Sequence, residues 1–456
     1  MPRLFAGGGV PWTLIFMLPG FQVLWSPSVC SCDQRRPVER GRRPIVPFLH
    51  RLLSILITIS FVACPARGEQ LVELLNQTLR KYDLPAMGAL CLRGDIVQEW
   101  AVAGVRKRGH LDPVLPQDLW HLGSCTKAMT ATLGARLVER ERMQWNMTIG
   151  EVFPEIRGKV HPEYVDVTFE QLLTNRGGIP AEMRNTEAWK RAWKQKGSLI
   201  EQRHRFMIDV LRMPPPVPAG DYLYSNQGFA IAGHMCEQVT GVAWEKLMVE
   251  EVFEPLGMSS AGFGAPGARD PHQPVGHKKD GKPADPKADN PPAISPAGRV
   301  HCSLHDWARF VAIHLLGAQG HSKYLSGRTF LRLHRPAPGK GNRYAMGWNV
   351  THREWGGTVA SHAGSNTMWY CVTWVSPEKN LAVLVTCNQA GDAAVKACDE
   401  TAWALIQREL ARRESSTSSN TPLGATQRRS SGVGRSGDQG WTRVTAESLE
   451  LCQSSR

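Results

Sequence analysis

The chain of 456 residues contains no Cys-x-x-Cys pair, although it holds 11 cysteines. An odd number of scattered cysteines excludes a disulfide framework and a zinc ribbon, so most are expected to be small buried hydrophobes. There is no His-Glu-x-x-His either. His301, His305 and His314 lie on or near one helical stretch without a carboxylate set, which leaves a metal hydrolase unsupported. No internal repeat and no nucleic-acid-binding motif is visible. The net charge of +13 is carried largely by the ends: +6 falls in residues 1–67 and +3 in residues 412–456, leaving +4 between them. The ends therefore read as basic tails, and no nucleic-acid partner is implied.

What is present is an ordinary globular composition, 42% hydrophobic and 21% charged, enough for a sizeable core. The stretch "HRLLSILITISFVACPARGEQ" (50–70) has a basic flank, an apolar run of about a dozen residues and a small-residue exit, the pattern of a secretory signal. Two readings stay open: a plain cut near Ala66, or lipid modification of Cys64, since "FVAC" is an imperfect lipobox. The first gives a soluble exported protein, periplasmic or associated with the cell envelope; the second adds a membrane tether. Residues 1–48 fit neither, and no Met lies between Met17 and Met87. One expectation is that translation begins near Val46, at an alternative codon. From residue 412 the chain turns rich in Ser, Thr, Gly and Arg without an apolar period, and disorder is expected there.

Between these ends, Leu71, Leu74, Leu75 and Leu79 share one helical face. "PAMGALCLRGDIVQEWAVAG" reads as two strands joined at Arg-Gly-Asp. A helix after Ser124 points Met129, Leu133 and Leu137 inward. Helical stretches and Pro/Gly-rich loops run to about residue 300, followed by a helix in "SLHDWARFVAIHLLG". Strands return in "YAMGWNVT" and in a hairpin around Ser-Pro-Glu-Lys-Asn, and a helix closes the domain. Strands from both ends of the chain imply an α/β (α+β) fold: an antiparallel sheet flanked by helices, from 68–120 and 300–411, with a helical part from 121–299. A groove between the two parts is the expected site.

Three motifs carry chemistry. In "HLGSCTKAMTATLGARLVERERM", Ser124 and Lys127 stand at i and i+3, neighbours on one helical face. A buried lysine there can take the serine's proton, and the helix N-terminus supplies N–H groups for an oxyanion. Helix capping by Ser124 is the plain alternative. A second Ser-x-x-Lys, Ser376 to Lys379, sits in a hairpin turn with no helix to align it and is rejected. Tyr224-Ser225-Asn226 offers a phenol that can shuttle protons beside an ammonium, and an amide that can hold Lys127 and a substrate carbonyl. A loop tyrosine with a capping asparagine is its alternative. His362-Ala363-Gly364 would put an imidazole near the nucleophile, let substrate approach Gly364 closely, and make the Ser365 N–H an oxyanion donor. His121-Leu122-Gly123 shows how common this triplet is by chance.

The ordered set, Ser-x-x-Lys, then Tyr-x-Asn 100 residues on, then His-x-Gly 138 further, resembles the serine β-lactamase and penicillin-binding-protein superfamily, in its class C β-lactamase-like branch. The resemblance runs from about residue 70 to 410 and takes in "LLTNRGGIP" (172–180), "FEPLGM" (253–258), "SPAGRVHCSLHDWARF" (295–310) and "MGWNV" (346–350). It implies an α/β/α sandwich with an all-helical domain, and acyl transfer through an acyl-enzyme without metal or organic cofactor. By this resemblance Ser124 is the nucleophile, Lys127 and Tyr224 the proton-transfer pair, and Asn226 a positioner, with the N–H groups of Ser124 and Ser365 as oxyanion hole. Two positions depart. His362 stands where β-lactamases carry the lysine of Lys-Thr-Gly, as in D-aminopeptidases and related esterases, which weakens the expected preference for carboxylate-bearing substrates. Asn175 replaces the histidine of Thr-His. The leading reading is an exported serine hydrolase for a small ester or amide, with a small-molecule or peptide-like substrate; a catalytically silent binding or sensor protein is the alternative.

Overall fold

The structure, a computed structural model, describes residues 67–418 apart from 182, 184–185 and 340–342. The leader, Cys64 and the tail beyond 418 lie outside the described residues.

The period-2 patterns of the chain ends build one six-stranded sheet. β1 (Ala86–Arg93) and β2 (Ile96–Gly104) form a hairpin turned at Gly94, which takes φ 62°. Three strands enter a second, smaller sheet: β3 (Trp120–His121), β4 (Gly262–Phe263) and β5 (Val300–Cys302). β6 (Asn349–Arg353), β7 (Gly357–Ser365), β8 (Tyr370–Ser376) and β9 (Leu381–Cys387) complete the main sheet in the order β2-β1-β9-β8-β7-β6, antiparallel throughout.

Alternation along the central strands gives the sheet two apolar faces. Met87, Ala89 and Cys91 of β1, with Val383 and Val385 of β9, meet Leu71, Leu75 and Leu79 of α1 (Arg67–Tyr82) and Ala394, Cys398 and Leu405 of the closing helix. Leu90, Leu92 and Leu384 face the other way, into the core that holds Trp307, Val311 and Leu315 of the helix Leu304–Ala318. The middle of the chain adds α2 (Thr126–Glu139), α3 (Leu199–Leu211) and α4 (Asn226–Thr240). Met129, Leu133 and Leu137 of α2 are fully buried, as the sequence indicates. Nearly all of α2 is buried, so it is an interior helix between sheet and helical part, not a surface helix with one apolar stripe.

Three expectations change. Residues 121–299 are not wholly helical, because β4 lies within them and pairs with β5; two-residue strands are too short to leave a period in the sequence. In "YAMGWNVT" the strand begins only at Asn349. The closing helix, Asp392–Ser418, runs beyond the expected boundary at residue 412, since Arg412 reaches across to the buried carboxylate of Glu99 at 3.1 Å. The described cysteines are buried, as expected.

Burial holds His301 and His334 well below the usual histidine range, each at about 4, and pushes His314 well down as well. A histidine whose folded pKa is depressed stabilises the fold above its unfolded value, near 6.5, and that stability drains away as pH falls towards the folded value. The urea midpoint is therefore expected to drop steeply between pH 6.5 and about 4, and His334→Gln to flatten the slope. A midpoint level across that window would contradict this assignment.

Candidate active site

Ser124 sits in a single 3-10 turn, Gly123–Cys125, that feeds α2. Neither the turn nor α2 takes a side-chain cap, so the capping alternative for Ser124 does not hold. One helical turn on, Lys127 Nζ lies 3.0 Å from Ser124 Oγ, 2.7 Å from Asn226 Oδ1 and 2.8 Å from the Ala297 carbonyl. Lys127 is fully buried and Ser124 is 6% exposed. Asn226 Oδ1 and the Ala297 carbonyl can only accept, so each takes a hydrogen from the Lys127 amine.

Asn226 is free for this because it is not the cap of α4. Ser225 caps that helix, its Oγ accepting from the Gly228 N–H at 3.1 Å and donating to the Pro180 carbonyl at 2.8 Å. The plain alternative for Asn226 is thereby settled against. Tyr224, 8% exposed, lies with its ring centroid 4.7 Å from Lys127 Nζ, a cation–π distance. The departure at 175 has a structural meaning as well. Asn175 adopts φ 57°, which asparagine tolerates, and its Oδ1 accepts from the Ser225 N–H at 3.0 Å while its carbonyl accepts from Leu223 at 2.9 Å. It braces the Tyr224-Ser225-Asn226 loop from both sides.

β7 runs against the nucleophile's turn with no space between them. A Cβ on Gly364 would lie 2.0 Å from the Leu122 carbonyl and 3.0 Å from the Ser124 nitrogen. A Cβ on Gly123, itself at φ 47°, would lie 2.4 Å from the Ser365 nitrogen. The backbone nitrogens of Ser124 and Ser365 thus belong to segments in direct contact. The rejected Ser376 is buried in its turn, donating to the Gly356 carbonyl at 2.7 Å.

A Beta-lactamase family profile matches residues 71–408. The chain belongs to the β-lactamase family. Its α/β/α sheet with an added helical part is the fold of structures such as the octameric penicillin-binding protein homologue from Pyrococcus abyssi, with TM-score 0.62, 22% identity, and coverage of 75% of this chain and 77% of that one. Relatives include the unguisins hydrolase ungD′ of Aspergillus campestris, 25% identical over 62% of this chain and 54% of its own. The putative penicillin-binding protein PbpX of Bacillus subtilis is 23% identical over 60% and 64%. The chain thus spans between about half and two thirds of the length of these relatives. The matches support a function of the serine-hydrolase type at low identity.

Within this family member, the His362 side chain is buried. It is 4% exposed, its Nδ1 faces the Ala363 carbonyl at 2.6 Å, and Tyr344 Oη lies 3.0 Å from its Nε2. A carbonyl only accepts, so Nδ1 carries a hydrogen and Nε2 is the partner of Tyr344. The two aromatic neighbours of His362 are Tyr344, at 5.8 Å between centroids, and Tyr224, at 6.4 Å. Burial pushes the Tyr344 phenol far up, so it remains a donor.

Sequence reasoning missed Tyr344, the bracing role of Asn175, and a buried set around Asp289. His121 Nε2 lies 3.0 Å from Asp289 Oδ2, and the Gly123 N–H donates to His121 Nδ1 at 3.1 Å. Burial alone would raise the Asp289 carboxyl, but His121, Arg299 and Asn366 together hold it down at about 2. His121 had only the look of a chance triplet, and Asp289 that of a solvated loop residue in "DGKPADPKADNPP".

Proposed function

We propose that this protein is a serine hydrolase that cleaves small esters or amides through an acyl-enzyme on Ser124. The observation that carries the reading is the fully buried Lys127 amine, 3.0 Å from a serine hydroxyl that caps no helix. In the first step Ser124 Oγ forms a bond to the substrate carbonyl carbon while its proton passes to Lys127. The carbonyl oxygen becomes an oxyanion, held by the N–H groups of Ser124 and Ser365. Collapse breaks the bond to the leaving alkoxide or amine, which receives a proton through Tyr224. Water then adds to the ester, giving its proton to the Tyr224–Lys127 pair, and Ser124 is released with the acid.

His362, buried and engaged at both ring nitrogens, stands where Lys-Thr-Gly enzymes present a lysine, which favours acyl donors without a required carboxylate. A panel of short p-nitrophenyl esters, D-amino-acid p-nitroanilides and nitrocefin tests this, with esters expected to react fastest. Labelling by a fluorophosphonate at Ser124 supports the mechanism, and labelling at another residue counts against it. His362→Lys is expected to raise the preference for carboxylate-bearing donors about tenfold, the worth of one charge-assisted hydrogen bond. An unchanged ratio would remove this account of substrate choice.

The proposal includes export, supported by the basic flank and apolar run of residues 50–70. Sequencing the N-terminus of the mature protein separates a cut near Ala66 from a lipidated Cys64, and a mature protein that retains residues 50–70 would refute export by this route.

A further inference from the structure

Asp289 is a buried carboxylate, 7% exposed, in a loop of lysines, prolines and aspartates where solvated side chains would be expected. Burying a carboxylate is costly unless its charge and lone pairs are met, and here they are met by groups from two distant segments. On one side, Oδ2 faces His121 Nε2 at 3.0 Å and Arg299 Nε at 3.2 Å. On the other, Oδ1 accepts from Asn366 Nδ2 at 3.1 Å and from the Asn290 N–H at 2.8 Å.

Each end of this bridge terminates on the backbone. The Gly123 N–H can only donate, so His121 accepts it at Nδ1 and directs its own N–H at Asp289. That fixes the turn immediately before Ser124. Asn366 follows Ser365, and its Oδ1 accepts the N–H groups of Met368 and Trp369, each at 3.2 Å. This closes a turn in which Thr367 is forced to φ 72°, a conformation that a β-branched residue keeps only when its surroundings impose it. The two segments also meet through the edge-to-face rings of Trp120 and Trp369, 6.2 Å apart, so their apolar contact does not depend on the bridge.

We infer that Asp289 is a positioning residue which, through His121 and Asn366, sets the separation of the Ser124 and Ser365 N–H groups. Contact between Gly123 and Ser365 limits how near the two segments come, and the polar bridge limits how far they part. The inference rests on the proposed hydrolase reading, in which those two N–H groups hold the oxyanion. Donors that act on developing charge must be held rigidly, and a shift of about 1 Å can cost of the order of a hundredfold in rate.

The test uses the full chain and the variants Asp289→Asn, Asn366→Ala and His121→Gln. Four quantities are read: kcat and KM for p-nitrophenyl butyrate, the Kd of phenylboronic acid, whose serine adduct places an anionic oxygen in the hole, and the thermal midpoint. The expected result is a fall in kcat of about ten- to a hundredfold with KM nearly unchanged, and a rise in boronate Kd by a similar factor. The double variant His121→Gln/Asn366→Ala is expected to be no slower than the worse single variant, since one bridge is broken only once. Asn366→Ala keeps the Asp289–Arg299 pair and serves if Asp289→Asn does not fold. Folded variants whose kcat and boronate Kd stay within about twofold of the wild type would overturn the inference. So would losses that follow only the folded fraction. A wild-type protein that neither hydrolyses esters nor binds boronate overturns the hydrolase reading itself, and this inference with it.

Discussion

Ser124→Ala is expected to lower kcat/KM for a short p-nitrophenyl ester by at least about 10⁴-fold, because the bond-forming oxygen is gone and only the oxyanion donors and binding remain. The fold should hardly notice. Ser124 caps no helix, and removing its hydroxyl deletes one hydrogen bond, to Lys127, worth about 1 kcal/mol net. Lys127 keeps the Asn226 and Ala297 acceptors in the variant. Steady-state rates and a urea titration on the same preparation check both halves. Undiminished turnover in a folded Ser124→Ala protein would refute the mechanism, whereas ligand binding without turnover in the wild type would favour the binding or sensor reading.

The second large effect concerns the amine. Lys127→Ala is expected to slow acylation by about 10³- to 10⁴-fold, the range of a lost general base. It also leaves Asn226 Oδ1 and the Ala297 carbonyl buried without their shared donor, at a cost of about 1–3 kcal/mol for each such group. Some fall in thermal midpoint should accompany the loss of rate, unlike for Ser124→Ala. Lys127→Arg should not restore activity. The site is fully buried, its acceptors are spaced for a single nitrogen, and a planar guanidinium is larger and does not deprotonate. Small primary amines such as ethylamine, added to Lys127→Ala, should return part of the acylation rate, measured as fluorophosphonate labelling of Ser124. Full activity in Lys127→Arg would mean that the residue supplies charge and not a base.

How much of this site is legible follows from how local each contact is. Ser124 and Lys127 are three residues apart on a helix, so the geometry of any helix brings them together. The alternation of Met87, Ala89 and Cys91 against Leu90 and Leu92 likewise needs only the pleat of a strand. Capping was less legible: Ser225 and Asn226 are both good caps, and only the start of α4 assigns the cap to Ser225 and leaves Asn226 to the lysine. Asn175 sat inside a recognisable segment, yet its function is to hold a loop 50 residues away.

The sequence by itself determined the antiparallel sheet built from both ends of the chain, the helix behind Ser124 and the identity of the serine–lysine pair, since each depends on periodicity or spacing within a few residues. Tertiary structure alone decided that His362 is enclosed by Tyr344, that β7 touches the nucleophile's turn, and that Asp289 joins His121 to Asn366. The His362–Tyr344, Asp289–His121 and Asp289–Asn366 contacts span 18, 168 and 77 residues along the chain. No local rule of spacing links such positions. They meet only because the packed core fixes where each loop must pass, and burial then makes every polar group there find a partner.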